Sequence, residues 1–416
     1  MYRLYRAFTF MASPFVPLVL TARRARGKED AVRISERLGK ASKPRPSGKL
    51  VWIHAASVGE ANAVLPLIGA LLAEHENLHV LLTTVTVTSA ALLGGRLPER
   101  ALHQFAPVDT PDAVRAFLGY WRPDIALFVD SEFWPNLMVG TRRAGAVMGL
   151  INARMSDRSF RRWRLARPFI RMLLSGFTLC FAQSAQDAER LGILGLPSVN
   201  GTGNLKYDAP ALPCDEKELA RLEKQVDSRP VWVAASTHPG EEAMIAQVHR
   251  KLAASGMRPL TIIVPRHAVR GDEVTAQLGS LKIARRSRGD AITRDTDIYL
   301  ADTMGELGLF YRLASVAFIG GTLVSHGGQN PLEAAKLGRA IIAGPHMENF
   351  AGIMEVMERE HAVLRVKDAG GLARETARLL QDEKTRAALA QKAEAHVRAH
   401  AGMLATITQV LQPYLA

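Results

Sequence analysis

From Leu50 onward, short unbroken apolar runs alternate with stretches in which apolar residues return every three or four positions. The first kind predicts strands buried on both faces, the second amphipathic helices, and their alternation predicts parallel sheets covered by helices. Strands are expected at Leu50–Ala55, Val80–Thr84, Ile125–Val129, Ala146–Ile151, Phe177–Ala182 and Val199–Thr202, with helices at Glu60–Glu74 and Ser89–Leu97. The rhythm restarts at Pro230, where VWVAASTHPGEE (231–242) echoes VWIHAASVGEAN (51–62). Further strands are expected at Thr261–Val264, Ile298–Ala301, Ser315–Gly320 and Ala340–Ala343, a helix from about Gly371, and one long helix over Lys384–Val410. The expected fold is α/β: two Rossmann-like domains facing a central cleft, with ligands beyond the carboxyl ends of the strands.

Residues 1–30 break this pattern. Ala7–Ala22 is a 16-residue uncharged run flanked by Arg3 and Arg6 on one side and by Arg23, Arg24, Arg26 and Lys28 on the other. A helix needs about 20 apolar residues to cross a bilayer, and Pro14 and Pro17 interrupt the run. The expectation is an uncleaved membrane anchor or interfacial segment whose basic flank meets anionic lipid. An apolar helix packed on the protein itself is the competing reading. The linker-like KASKPRPSGK (40–49) follows. The domains are therefore placed at 1–30 (anchor), 31–208 and 209–416, with the last helix free to return to the N-terminal domain.

Composition adds two constraints. A net charge of +13 asks for anionic partners: nucleic acid, acidic lipid or a phosphorylated substrate. Two cysteines, Cys180 and Cys214, give no disulfide framework and fit a reducing compartment.

The candidate chemistry sits at predicted strand ends. In FIGGTLVSHGGQNPLEAA (318–335) a Gly-rich turn leads to Asn330 as N-cap and Pro331 as first helical residue. Such a turn serves equally as a tight structural connection or as a phosphate cradle. Glu60, in HAASVGE (54–60), opens a helix and can act either as a general base or as a helix-end charge. Asp130 and Glu132 follow another strand, beside Trp134. Lys206, in GNLKYD (203–208), can offset charge on a leaving phosphate. Arg266 carries paired donors suited to phosphate, and Glu306 can meet a base or ribose. Asp295-Thr-Asp297 precedes a strand and reads as a turn. The 12 histidines show no spacing such as HExxH, so no metal site is expected. Seven arginines between Arg154 and Arg171 surround Phe160, Trp163 and Phe169, the composition of a single-stranded nucleic-acid surface or of a membrane-facing patch.

Taken together, HAASVGE, SEFWPN (131–136), NARMSDRS (152–159), GNLKYD, ASTHPGEE (235–242), PRH (265–267) and GGQNPLEAA (327–335) give a chain that resembles the 3-deoxy-D-manno-octulosonic acid (Kdo) transferases over essentially its whole length. Two departures show: Gln329 where the family commonly has His, and Asp130-Ser131 where Glu-Thr is usual. The resemblance implies a GT-B glycosyltransferase that moves Kdo, with inversion, from CMP-Kdo to a hydroxyl of a lipid A precursor. It implies Glu60 as general base and Glu132 and Lys206 as transition-state stabilisers. Pro265, Arg266, Met304, Gly305, Glu306, Asn330, Pro331, Leu332 and Glu333 would line the CMP site. It further implies no cofactor or metal, no nucleic-acid partner, and a place on the cytoplasmic face of the inner membrane. A nucleotide-sugar epimerase or hydrolase on the same fold, and a basic lipid or nucleic-acid surface binder, are the alternatives.

Overall fold

A computed structural model describes residues 1–415 and groups them into two compact units, 1–209 with 401–415, and Pro210–His400. Unit 1 holds β1 Lys49–His54, β2 Leu78–Thr84, β3 Ala101–Phe105, β4 Ile125–Val129, β5 Val147–Ala153, β6 Leu179–Ala182 and β7 Gly201–Thr202. Unit 2 holds β8 Val231–Thr237, β9 Leu260–Pro265, β10 Ile283–Arg285, β11 Ile298–Leu300, β12 Val316–Ile319, β13 Ala340–Ala343 and β14 Leu364–Arg365. The strand orders are β3-β2-β1-β4-β5-β6-β7 and β10-β11-β9-β8-β12-β13-β14, with every pairing parallel. Each sheet thus reverses its winding once, between β1 and β4 in unit 1 and between β8 and β12 in unit 2, which opens a crevice at the strand ends there.

Alternation along β1 shows how one strand serves two cores. Val51 and Ile53 pack with the helices Val58–Glu74 and Met403–Leu415, while Leu50 and Trp52 face the opposite layer with Phe117, Phe128 and Leu150. The last helix enters the unit 1 core through Met403, Ile407, Leu411 and Leu415, one residue per turn. Asp208 holds its start, accepting from the amides of Gly402 (2.6 Å) and Leu404 (3.0 Å). The helix expected over Lys384–Val410 is therefore two, Glu383–His400 and Met403–Leu415, broken at Gly402, whose φ of 117° lies outside helical space.

The echo between the halves is structural. Trp52 Nε1 donates to Thr83 Oγ1 (2.9 Å) on the neighbouring strand, and Trp232 Nε1 donates to Thr261 Oγ1 (2.8 Å) in the same way. A buried imidazole meets each threonine, His54 at 3.0 Å and His249 at 2.8 Å. His54 is accordingly a core group: burial pushes its pKa down to about 4, with Arg37 adding to the shift.

Three strands escape the hydrophobic pattern: β3, β10 and β14. All are sheet edges, where one side lacks a neighbour. They are short, or carry polar residues such as His103 and Gln104, so no apolar run announces them.

The Gly-rich turn after β12 resolves into two parts. The amides of Gly321 (2.6 Å), Thr322 (2.9 Å) and Leu323 (3.0 Å) all donate to the buried carboxylate of Glu241, which also receives the amide of His238 (3.0 Å). This first nest is filled by the protein's own anion and ties the β8 helix to the β12 turn. Burial raises the Glu241 pKa and the amides pull it down. Glu241→Ala would strand four inward-facing donors at roughly 1–3 kcal/mol each. Urea unfolding is expected to show a loss of about 3 kcal/mol or more on that scale; a change within ordinary surface-mutation range would remove Glu241 from this role.

Candidate functional site

In unit 1 the groups converge at the β1/β4 switch point. Ser57 caps the helix Val58–Glu74, accepting from Glu60 N (3.3 Å), while its hydroxyl donates to Glu60 Oε1 (2.6 Å). The amide of Ala56 donates to Glu60 Oε2 (2.8 Å). This is a capping-box-like arrangement in which Glu60 reaches the amide of Ala56, one residue before the N-cap, instead of that of Ser57, so the helix-end reading of Glu60 holds geometrically. It does not exhaust the residue. Burial pushes the Glu60 carboxyl up to about 7; the Ser57 and Ala56 bonds oppose this, and the negative charges of Asp130 and Glu132 reinforce it. A carboxylate poised near neutrality can take a proton from a hydroxyl.

Asp130 follows β4 with φ of 60°, and Asn152, within β5, has φ of 51°. Left-handed backbone at non-glycine residues is strained and clusters where function over-determines geometry. The turn at Asn152 places its Oδ1 to accept from Leu205 N (3.1 Å), which fixes the short helix Leu205–Tyr207 carrying Lys206. Burial lowers the Lys206 pKa; Asp130 and Glu60 pull it back up and Arg154 adds to the lowering. Burial raises the Asp130 pKa while Arg154 and Lys206 restrain it. Glu132 accepts from Trp134 Nε1 (2.9 Å). Glu60, Glu132 and Lys206 thus share one electrostatic neighbourhood. Asp130 and Arg154 belong to it as well. In the sequence Arg154 merges with the arginine-rich stretch, although its place just after an apolar strand is the signal that marks the others.

The arginine-rich stretch folds as the helices Asp157–Leu165 and Arg167–Leu174. All seven arginines from Arg154 to Arg171 are exposed. Phe160, Trp163 and Phe169 instead pack against the core, with Trp163 6.1 Å from Phe133 and 6.4 Å from Phe169. These partly buried rings hold the helices to the core instead of standing free as a stacking platform, which favours the membrane-facing reading.

Beside these helices lies the N-terminal segment, Tyr2–Ala12 and Val16–Ala25 joined by a 3-10 turn that starts at Ser13, with Pro14 and Pro17 in first-turn positions. Tyr5 packs 6.4 Å from Phe169 and donates to Asp109 (2.8 Å); Thr9 accepts from Asn136 (2.9 Å). Its other face leaves Leu4, Phe8, Met11, Phe15 and Leu18 exposed. Tyr2–Ala25 is long and apolar enough to cross a membrane by length and composition, yet one of its faces is pinned to unit 1.

In unit 2, Pro265 ends β9, and Arg266 donates its amide to Thr237 O (2.9 Å), beside the strained Ser236 (φ 57°). His238 receives the side-chain amide of Gln329 (2.9 Å) and lies 3.6 Å from the ring of His326 and 6.5 Å from that of His267. Burial lowers the His238 pKa to about 4, helped by the two histidines, Arg266 and Arg270. Gln329 therefore keeps a polar contact on this imidazole, and His326 is a site neighbour that the sequence did not single out.

Asn330 Oδ1 accepts from Leu332 N (3.1 Å), and its amide reaches Glu333 Oε1 (3.4 Å). Burial raises the Glu333 pKa, while Asn330, Lys336 and Arg266 restrain it. The helix expected to continue from here is a single turn, Leu332–Ala335. So few aligned peptides make no appreciable macrodipole, and an anion here would rely on individual donors. Leu332 is fully buried and Pro331 is buried beside it, so of this stretch Asn330 and Glu333 are the residues with exposed surface. Met304 is exposed, and Gly305 turns at φ 87°. Glu306 is held by Arg286 (3.1 and 2.5 Å), which also pairs with Glu218; these contacts lower its pKa. Its carboxylate meets any ligand as an ion already paired.

With this geometry in view, three comparisons place the chain. Residues 32–209 match the family described as 3-deoxy-D-manno-octulosonic-acid transferase (kdotransferase). The chain is 38% identical over 369 residues to the probable mitochondrial 3-deoxy-D-manno-octulosonic acid transferase of Arabidopsis thaliana, covering 86% of this chain and 83% of that one. It is 32% identical to the enzyme of that name from Haemophilus influenzae, over 99% of this chain and 98% of that one. In fold it is similar to a glycosyltransferase from Rickettsia africae, at a TM-score of 0.57 and 12% identity, covering 89% of this chain and 98% of that one. Two seven-stranded parallel sheets, each with one switch point, agree with the GT-B-type architecture, and the chain belongs to the 3-deoxy-D-manno-octulosonic acid transferase family of glycosyltransferases.

Proposed function

We propose that this Kdo transferase takes its sugar from CMP-Kdo and places it, with inversion, on a hydroxyl of a lipid A precursor. The observation that carries the reading is the Glu60 carboxyl, set at the switch point of unit 1 with its pKa pushed up to about 7. In this reaction the acceptor oxygen forms a bond to the anomeric carbon from the face opposite CMP. The bond from that carbon to the phosphate oxygen breaks, and Glu60 takes the hydroxyl proton. Glu132 stabilises positive charge developing on the sugar, as carboxylates do in glycosyl transfer. Lys206 offsets negative charge in the transition state. Donor binding is assigned to unit 2, with Arg266 as the paired phosphate donor. Pro265, Met304, Gly305, Glu306 and Asn330–Glu333 line the nucleotide site. Cationic side chains supply the electrostatic stabilisation, so the proposed mechanism requires no metal ion.

The acceptor is a phosphorylated glycolipid, and two features of unit 1 suit it. The pinned N-terminal helix presents Leu4, Phe8, Met11, Phe15 and Leu18 outward, and the neighbouring helices present exposed arginines. An apolar stripe beside a basic patch is the pattern of a helix lying in an anionic membrane interface. We therefore assign the protein to the cytoplasmic face of the inner membrane, in lipopolysaccharide biosynthesis.

Purified protein with CMP-Kdo and a lipid A precursor, and no added metal, is expected to release CMP and yield a heavier lipid by mass spectrometry. CMP release without the heavier lipid would indicate a hydrolase instead. Glu60→Gln should lower turnover by about 100-fold or more, the usual scale of a general base, while CMP-Kdo binding survives; near-normal turnover would remove Glu60 from the base role. Because the base must be ionised, kcat/KM should fall as pH drops below about 7 and level off above it. A profile flat from pH 5 to 8 would contradict the assignment. Arg161→Ala with Arg162→Ala should weaken sedimentation with anionic vesicles more than CMP binding, and an equal loss of both would refute a membrane role for this patch.

A further inference from the structure

His396 and His400 stand one turn apart on the same face of the helix Glu383–His400. Glu360 follows the helix Ala351–Arg359 and turns its carboxylate toward both. Its Oε2 lies 2.6 Å from His396 Nδ1 and its Oε1 3.7 Å from His400 Nε2. One donor atom from each of the three lies within 4.8 Å of the other two. The His396 side chain is fully buried, whereas those of Glu360 and His400 are 39% and 34% exposed. The cluster therefore has a dry floor and an open mouth.

Tautomer chemistry decides what this cluster suits. His400 Nδ1 lies 2.8 Å from the backbone carbonyl of His396, which can only accept. The Nδ1 proton is thereby fixed, and Nε2 is the lone-pair nitrogen of the neutral ring. At His400 Nε2 a lone pair and a carboxylate oxygen then face each other, an arrangement that a cation between them reconciles; at His396 the Nδ1–H donates to Glu360 Oε2 (2.6 Å), and that proton is the one a bound ion would displace. Donation of the second ring N–H to a backbone carbonyl is also how metal-binding histidines are commonly oriented. Two imidazole nitrogens and one carboxylate form a ligand set for a borderline ion such as Zn2+, with a coordination position left for water, rather than for Mg2+ or Ca2+, which prefer oxygen.

We propose that Glu360, His396 and His400 bind one divalent transition ion, through Glu360 Oε, His396 Nδ1 and His400 Nε2. The bonds would be about 2.0–2.2 Å, which sets the donors roughly 3–3.5 Å apart; the His396–Glu360 pair would open and the His400–Glu360 pair close slightly, an adjustment that the partly exposed Glu360 and His400 provide. The expectation of no metal site rested on the absence of HExxH. Here the histidines are spaced for one helix face, but the carboxylate comes from 36 residues upstream, and only folding joins them. None of the three belongs to the groups assigned to sugar transfer. His400 is the last residue of unit 2 before the chain returns to unit 1, so a bound ion would pin that exit to the end of the helix Ala351–Arg359.

The full chain, freed of metal, would be titrated with Zn2+ against a chromophoric chelator, and separately with Co2+ while its visible spectrum is recorded. One ion per chain and a Co2+ spectrum of four or five ligands are expected. Glu360→Gln and His400→Ala change partly exposed residues and should fold normally, unlike a change at buried His396. Each should weaken this site by at least ~10-fold, the smallest effect usual even for outer ligand contacts. His238→Ala, a control for the separate histidine group of unit 2, should leave it unchanged. Absence of binding by the wild-type chain, or equal affinity and stoichiometry in the Glu360→Gln, His400→Ala double variant, would overturn the proposal.

Discussion

Burying a carboxylate is expensive unless donors surround it, and both units draw one out of water near the start of the helix that follows their first strand, Glu241 fully and Glu60 in part. Glu241 and Glu60 occupy equivalent slots in the VW…AAS…GE repeat. Unit 2 meets the cost with four backbone amides, three of them from the turn after β12. That carboxylate is structural, and the first half of the Gly-rich turn is spent on it. Unit 1 gives Glu60 a serine hydroxyl and one neighbouring amide, next to two further acids. Burial, opposed by only two donors and reinforced by the neighbouring acids, leaves Glu60 with a pKa near neutrality. The same sequence device thus makes a strut in one unit and a titratable group in the other.

The strained residues follow the same logic. Asp130, Asn152 and Ser236 all hold positive φ at or near strand ends. Asn152 orients the short helix bearing Lys206, and Asp130 brings a carboxylate into charge interaction with both Lys206 and Arg154. These positions are held by parallel sheets whose interiors are fully buried, so rigid apolar scaffolding bears the strain.

Unit 1 also separates two surfaces that composition alone merges into one basic character. The aromatic residues among the arginines point inward and anchor their helices. The N-terminal helix is tied by Tyr5 and Thr9 on one side and apolar on the other. Charge and apolar surface lie side by side because Phe169 packs against Tyr5.

Much of this was legible in the residues themselves. Continuous apolar runs such as Ile125–Val129 and Ala340–Ala343 identify central parallel strands, because only a strand covered on both faces can be apolar throughout. The repeat of VW, AAS and GE announces two similar halves, and strand-end acids and bases mark the candidate site. The edge strands β3, β10 and β14 were hidden because they are short or carry polar residues such as His103, Gln104 and Arg285, which fit at a sheet edge without an apolar run. Sequence could not tell that the amides of the β12 turn were already taken by Glu241, that Glu306 was paired with Arg286, or that Glu360 would meet His396 and His400. Each of these depends on which distant backbone or side chain arrives beside the group, and spacing along the chain holds no record of it.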